Sequence, residues 1–88
     1  MTNEEKLRTL FTSSALIKVI KYFLNREFGY VRLIERETGV QINSVRREIK
    51  RLSDLGLVYV FKKDNSKIIL AWNDASALSK PIKKIFNG

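Results

Sequence analysis

The stretch LIERETGVQINSVRREIKRLSDLGL, residues 33–57, decides the fold. Its apolar residues recur four, three and three positions apart, which is the spacing of one face of an α-helix: Val45, Ile49, Leu52 and Leu55. The opposite face, at about 100° per residue, carries Asn43, Arg46, Arg47, Lys50 and Arg51. The pattern predicts a helix over residues 43–55 with a basic side suited to a polyanion. Taken alone, such a helix is more typical of a solvated surface, on which Glu48 and Asp54 pair with neighbouring cations.

The residues on either side of this helix predict a helix-turn-helix arrangement. A shorter amphipathic segment predicts a helix over residues 31–38, which ends at Gly39 because glycine accepts a positive φ. Asn43 is the expected N-cap of the second helix. Gly56 is expected just past its C-terminus, with Leu57 folding back in a Schellman-type contact. Two helices with a tight turn between them are therefore expected.

Upstream of this pair, residues 13–25 have a wide apolar stripe and predict a central core helix, capped by Thr12 or Ser13. Residues 1–11 predict one or two helical turns, which are too short to be stable alone and must pack on the domain or on a partner. Between the core helix and the helix-turn-helix, Tyr30 and Val31 are expected to form a short extended piece. The N-terminal half is therefore predicted to be helical.

Downstream of Gly56 the pattern changes from helical to extended. Residues 57–63 and 67–72 are rich in β-branched and aromatic side chains, and turn-forming residues separate them, so they predict a β-hairpin over residues 57–72. A final helix is predicted over residues 76–87, beginning at Ser76 or Ser79, with Pro81 tolerated in its first turn. Helices therefore precede and follow the predicted hairpin.

Length and composition indicate one domain, residues 1–88, and a polyanionic partner. The chain has 17 Lys and Arg against 9 Asp and Glu, a formal charge of +8. Such a balance is expected of a nucleic-acid binder, although ribosomal and membrane-surface proteins share it. The chain has no Cys and no His, which argues against disulfides, zinc fingers, thiolate nucleophiles and His-based catalysis. We expect no metal, no cofactor and no enzymatic activity.

Hydropathy adds an expectation about location. No segment approaches the ~20 apolar residues needed to cross a bilayer, and the N-terminus, MTNEEKLRTLF, does not resemble a secretory signal. A soluble, cytoplasmic protein without membrane contact is expected.

Three segments carry a family resemblance: YVR at 30–32, GVQINSVRRE at 39–48 and LSDLGLV at 52–58. In this order they resemble the winged helix-turn-helix transcriptional regulators of the ArsR-like superfamily, and the similarity covers about residues 10–72. It implies a mainly α (α+β) winged helix, with a three-helix core, a two-stranded β-hairpin wing and a C-terminal helix. It also implies a homodimer through the N- and C-terminal helices. The lack of Cys and His departs from the members that sense metals.

The resemblance and the helix pattern together select candidate DNA-binding residues. The first turns of a recognition helix reach base edges in the major groove, while flanking cations and the wing hold phosphates. The candidates for base contact are Gln41, Asn43, Ser44, Arg46 and Arg47. The candidates for phosphate contact are Arg32, Lys50, Arg51, Lys62, Lys63 and Lys67.

The sequence therefore predicts a regulator that binds double-stranded DNA in a sequence-specific manner, acting as a repressor by promoter occlusion. Two alternatives remain open: a winged helix used for protein–protein interaction, and a non-specific DNA- or RNA-binding protein. The aromatic residues are predicted to lie in the core or a dimer interface, rather than to stack on unpaired bases: Phe11, Tyr22, Phe23, Phe28, Tyr59, Phe61 and Trp72.

Overall fold

The structure, a computed structural model, describes residues 13–87, so the helical turns predicted over residues 1–11 lie outside the described part. The elements in chain order are α1 (Ser14–Arg26), β1 (Phe28–Gly29), α2 (Val31–Thr38), α3 (Ile42–Asp54), β2 (Val58–Asp64), β3 (Lys67–Trp72) and α4 (Ser79–Asn87). Within this part, four helices and one three-stranded antiparallel sheet form an α+β fold, as predicted.

Helix α1 lies at the centre of the core. It begins where predicted, since the Ser13 hydroxyl oxygen accepts a hydrogen bond from the backbone N–H of Leu16 at 3.2 Å. That bond satisfies one of the N–H groups that a helix start leaves without a partner. The wide apolar stripe seen in the sequence is buried, with Leu16, Val19, Ile20 and Phe23 fully inside.

A two-residue strand, β1, follows α1 and joins the helices to the sheet. Phe28 pairs with Ala71 and Gly29 with Leu70, so the extended piece expected at Tyr30–Val31 lies two residues earlier. Gly29 is required there, because a Cβ atom would lie 2.6 Å from Cε1 of the Tyr22 ring.

The helix-turn-helix pair follows the sequence expectation, with one correction at the start of α3. Helix α2 has the predicted bounds, and Gly39 ends it at φ 74°. Helix α3 begins at Ile42, with Gln41 as an N-cap that makes no side-chain bond. The prediction of Asn43 as the cap is therefore wrong. Because the helix starts one residue earlier, Asn43 lies in its first turn, with its side chain free to face outward.

The C-terminus of α3 is a Schellman motif, as predicted. Gly56 has φ 74°, and its N–H donates to the carbonyl oxygen of Ser53 at 3.0 Å. The N–H of Leu57 donates to the carbonyl oxygen of Leu52 at 2.9 Å, which completes the pair of bonds that defines the motif. This turn fixes the direction in which the chain leaves α3 and enters β2.

Strands β2 and β3 form the predicted hairpin, and β1 extends it to a sheet of order β1-β3-β2. A bulge between Val60 and Lys62 interrupts the pairing of β2 with β3. Extra residues of this kind bend an edge strand and discourage pairing with another chain. Apart from Val58, every residue of β2 is exposed, so most of the hairpin extends beyond the core.

Helix α4 closes the domain from the side of Trp72. It begins at Ser79 rather than Ser76, and Pro81 is its third residue, within the first turn. The indole N–H of Trp72 donates to the Ser79 hydroxyl oxygen at 2.8 Å, inside the core. Ile82 is fully buried, whereas Ile85, one turn further along the helix, remains 52% exposed. The buried part of α4 therefore anchors the second strand of the hairpin.

Three of the aromatic rings predicted to lie in the core or a dimer interface are outside the core of the described chain. Tyr22, Phe23 and Trp72 are buried as predicted, but Phe28, Tyr59 and Phe61 are 44%, 46% and 53% exposed. Phe28 and Tyr59 both pair with Ala71, which places them on the same face of the sheet. The Phe28 and Phe61 ring centroids are 4.9 Å apart. We call these three residues the aromatic patch.

Candidate nucleic-acid interface

Helix α3 presents its basic side directly opposite a firmly buried stripe. Val45, Ile49 and Leu52 are buried at 0%, 8% and 0% exposure and hold the helix on the core. At about 100° per residue, Asn43, Arg47 and Lys50 project nearly opposite that stripe, and all three are exposed. Their side chains therefore form the ridge of α3 that another molecule would meet first.

Arg46 lies on one flank of this ridge, in a cleft of about 570 Å³ between α3, the start of α2 and the hairpin tip. The residues lining this cleft are Tyr30, Val31, Arg32, Arg46, Ser66, Lys67 and Ile68. Three predicted site residues from three separate elements are thereby brought together: Arg32, Arg46 and Lys67. Because their charges have the same sign, the cleft is a region of positive potential suited to an anion.

Tyr30 shapes this cleft, although it was not among the predicted site residues. The Lys67 ammonium lies 4.7 Å from the centroid of the Tyr30 ring, a cation–π contact that connects the hairpin to the start of α2. Tyr30 is also the N-cap of α2 and makes no side-chain cap bond. The first N–H groups of α2 and the helix dipole therefore add partial positive charge to the cleft.

Several of the predicted cations are paired with acids. Arg32 lies 3.6 Å from Glu35, and Lys50 lies 3.7 Å from Asp54, both as exposed or half-exposed pairs along one helix. Exposed pairs of this type are worth about 0–1 kcal/mol, so a competing phosphate can replace the acid. Four of the predicted DNA-binding cations have no acidic oxygen within 4.0 Å among residues 13–87: Arg46, Lys62, Lys63 and Lys67.

Glu48 is a buried acid on α3, whereas the sequence suggested a solvated position. Its side chain is 1% exposed, and it contacts both Arg47 and Arg51. The sequence contained a signal for this, since Glu48 stands three residues after Val45 and four before Leu52, within the apolar stripe. An acid at such a position is buried when the helix packs, and the flanking arginines are then the groups that can compensate its charge.

The remaining predicted site residues are more dispersed. Lys62 and Lys63 lie on β2, opposite Ile69 and Ile68 of β3. Because they are adjacent in a strand, they point to opposite faces of the hairpin, and neither lines the cleft described above. Gln41 is exposed at the start of α3, whereas Ser44 is half-buried one turn further along, on the flank that carries Arg51.

Residues 13–87 contain no group of three or more His, Cys, Asp or Glu side chains that could hold a metal ion. Nor does any helix in this part of the chain have the length and apolar character to cross a membrane. Comparison of the chain with protein-family models, with curated proteins and with solved structures found no match in any of the three.

Proposed function

We propose that the protein is a winged helix-turn-helix transcriptional regulator, of the kind found in the ArsR-like superfamily, that binds double-stranded DNA at specific sequences. The observation that carries this proposal is the exposed basic ridge of α3 beside a cleft with three cations. A ridge one helix wide fits the major groove, which is about 12 Å across. In this proposal the adjoining cleft, with its three cations, holds the sugar–phosphate backbone beside that groove.

In this proposal the side chains of α3 have two different tasks. Asn43 and Arg47, on the ridge, contact base edges, because Asn pairs with adenine and Arg with guanine through two hydrogen bonds. Arg46, on the flank, joins Arg32 and Lys67 in holding a phosphate group. This assignment moves Arg46 from the base-contact group to the phosphate group, since its neighbours in the cleft are themselves cations.

Lys62 and Lys63 of the hairpin contact the backbone or the minor groove on either side of the wing. Neither pairs with an acid of the described chain, so neither must break an ion pair to reach DNA. Contacts to phosphates carry no sequence information by themselves. The wing therefore adds affinity for any duplex, and α3 supplies the preference.

A duplex titration by fluorescence anisotropy tests this proposal. Random-sequence duplex DNA and a duplex selected from a random pool are each titrated at about 50 and 200 mM salt, conditions over which phosphate contacts lose affinity strongly. We expect tighter binding to the selected duplex at both salt concentrations. Arg46→Ala should weaken binding to both duplexes, whereas Lys80→Ala, an exposed lysine on α4, should change neither. Binding no tighter than micromolar and equal for both duplexes would reject a specific regulator.

We further propose that the protein acts as a homodimer and represses by occluding a promoter, which places it in the cytoplasm with its DNA. Ile85, half-exposed beside the docked face of α4, supports α4 as a dimer surface. Light scattering at micromolar concentration tests the mass: Ile85→Asp should convert a dimer into a monomer. A monomeric wild type, or an Ile85→Asp variant that remains dimeric, would reject α4 as the interface.

A protein-interaction module is the second candidate function, and the aromatic patch favours it. An aromatic side chain buries about 150–250 Å² when it is fully covered. Because Phe28, Tyr59 and Phe61 are each only about half exposed, together they offer on the order of 300 Å². That is well below the ~800 Å² per partner of a standard interface, which is why the DNA proposal ranks first. Phe61→Ser, which places no negative charge beside Lys62, distinguishes the two: it should leave duplex binding unchanged under the DNA proposal, and abolish self-association if the patch is the interface.

A further inference from the structure

The buried acid of α3 lies beside the arginine that we assign to base contact. Glu48 is on the inner side of α3, at 1% exposure, whereas the Arg47 side chain is 66% exposed. The two residues are adjacent in sequence, so the Glu48 carboxylate contacts Arg47 from the core side of α3 and not from the solvent side. A carboxylate in this position can act on the arginine without blocking access to its outer end.

The contact is made through a specific atom of the guanidinium group. The Arg47 Nε–H donates a hydrogen bond to Glu48 Oε1 at 3.2 Å. The other carboxylate oxygen, Oε2, lies 3.5 Å from Arg51 Nη1 without hydrogen-bond geometry, and has no hydrogen-bond donor among the described residues. Arg47 is therefore the hydrogen-bonded partner of Glu48, and Arg51 is a charge nearby.

Occupation of Nε leaves the terminal end of Arg47 available. A guanidinium group has five N–H donors in a fixed planar fork, and the Nε bond uses one. The four Nη hydrogens remain, and two of them form the outward pair that matches O6 and N7 of guanine in the major groove. With Nε held to a buried carboxylate, the plane of the fork is set before DNA arrives, which lowers the ordering cost of the contact.

We propose that Glu48 is a positioning residue that holds Arg47 for a two-bond contact with a guanine. The inference rests on the proposed function and adds to it the identity of one base and the residue that enforces it. A purely structural acid has no reason to favour one base. Moreover, the cost of removing a carboxylate from water can exceed what its ion pairs return. A buried, paired acid such as Glu48 is therefore weak evidence for a role in stability.

The test uses duplexes that differ at a single guanine–cytosine pair of a sequence selected from a random pool by the wild-type protein. The measured quantity is the ratio of the two dissociation constants, which we call guanine discrimination. Arg47→Ala should identify the position, because discrimination should fall there and not elsewhere. Glu48→Gln should then lower discrimination at the same position by about tenfold, which is part of the preference that a two-bond pair supplies. In the Arg47→Ala background, Glu48→Gln should cause no further loss.

A second readout separates positioning from a loss of structure. Glu48→Gln removes a negative charge close to the DNA, so affinity for random duplex should rise while discrimination falls. A variant that merely loosened α3 would lower both. Glu48→Asp keeps the charge but is too short to reach Arg47 Nε, so it should lower discrimination without raising affinity for random duplex.

A measurement on the free protein keeps the inference testable if a variant folds poorly. In a ¹H–¹⁵N spectrum of the wild type, the Arg47 Nε–H should exchange slowly with solvent, because a buried acceptor holds it. Fast exchange of that proton in the folded wild type would overturn the inference. Full guanine discrimination in Glu48→Gln, at a position where Arg47→Ala loses it, would also overturn the inference. That outcome would leave the proposed function unaffected. A wild type with no discrimination at any position would instead reject the proposed function.

Discussion

Helix α3 and the β2–β3 hairpin carry most of the predicted DNA-binding cations, but they are held in opposite ways. Helix α3 is fixed to the core by Val45, Ile49 and Leu52, and its Arg47 is bonded to a buried acid. The hairpin extends from the core with nearly all of β2 exposed, and its lysines have no acid partner in the described chain.

Under the proposed function, the difference indicates which element would distinguish DNA sequences. Reading a base requires donors held in a defined direction, since a displaced hydrogen bond loses both distance and angle. Holding a phosphate requires only a mobile cation within reach, and lysine behaves as a point charge on a flexible stem. A fixed helix with an oriented arginine and a projecting hairpin whose lysines pair with no acid of the described chain therefore suit the two tasks separately.

The largest expected effect concerns how firmly each element is anchored. Leu52→Ala should lower the free energy of unfolding by about 2–5 kcal/mol, because it leaves a cavity under α3. Phe61→Ala, at a 53% exposed position of the hairpin, should lower it by less than about 1 kcal/mol. Urea unfolding followed by circular dichroism measures both. Similar losses for the two variants would contradict the contrast between a fixed helix and a projecting hairpin.

The next effect concerns the junction between the hairpin and the helices. Gly29→Ala should cost about 1–3 kcal/mol of unfolding free energy, since its Cβ would lie 2.8 Å from Cζ of Tyr22 and force the ring to move. Tyr22→Phe removes the hydroxyl group that lies nearest, so the double variant should lose less than the sum of the two single losses. Thermal unfolding measures all three. An additive result would show that β1 does not depend on this close approach.

For DNA binding, variants of α3 and of the hairpin should differ in which duplexes they affect, and not only in how much affinity they lose. Arg47→Ala should weaken binding to a selected duplex by about 1–3 kcal/mol and to random duplex much less. Lys63→Ala should weaken both alike and reduce the dependence of log K on log salt by about one unit. Anisotropy titrations over a salt series measure these quantities. Equal effects of both variants on both duplexes would remove the division between α3 and the hairpin.

The smallest expected effect is a pH dependence of the unfolding free energy, caused by Tyr22 beside strand β1. Burial, followed by the nearby Glu37 carboxylate, raises the pKa of Tyr22 above its ordinary value. The folded state therefore holds this proton more tightly than the unfolded state, so the stabilisation is complete below about pH 10 and is lost as the pH rises through the raised pKa.

The Tyr22 hydroxyl also donates to the Phe28 carbonyl oxygen at 2.8 Å, a bond worth about 1 kcal/mol that requires the proton. The measurement compares the unfolding free energies of the wild type and Tyr22→Phe at about pH 8 and about pH 11. The difference between the two proteins isolates the stability that depends on the Tyr22 proton. The wild type should lose more stability than Tyr22→Phe between the two conditions. Equal losses would mean that Tyr22 ionises as easily in the folded state as in the unfolded chain.

Local signals predicted the helical part of the fold closely. The bounds of α2 were predicted to the residue, because Gly39 ends it, and the Schellman turn at Gly56 followed from a single glycine after an apolar stripe. The extended piece that became strand β1 was predicted two residues too late, because two residues carry no periodic pattern and the partner Ala71 is more than forty residues away in the chain. Such a pairing is visible only when the chain is folded.

The candidate site was only partly predictable, for the same physical reason. Residue type and helical spacing identified every cation that the structure places on α3 or in the cleft. They could not show that Arg46 meets Arg32 and Lys67, which depends on where the hairpin tip lies relative to α2. Nor could they show that the aromatic patch is exposed. A strand that projects beyond the core, as β2 does, can have the same sequence pattern as a strand that packs on the core.

Selection of bound sequences from a pool of random duplex DNA tests the central claim, that α3 reads sequence, most directly. We expect an enriched motif containing a guanine whose enrichment disappears in Arg47→Ala and is retained in Lys63→Ala. If the protein acts as the proposed dimer, the motif should occur as two inverted half-sites about one helical turn, ~10 base pairs, apart. Retention of the duplex pool without enrichment of any motif would contradict the account, because it would mean that α3 holds the backbone alone.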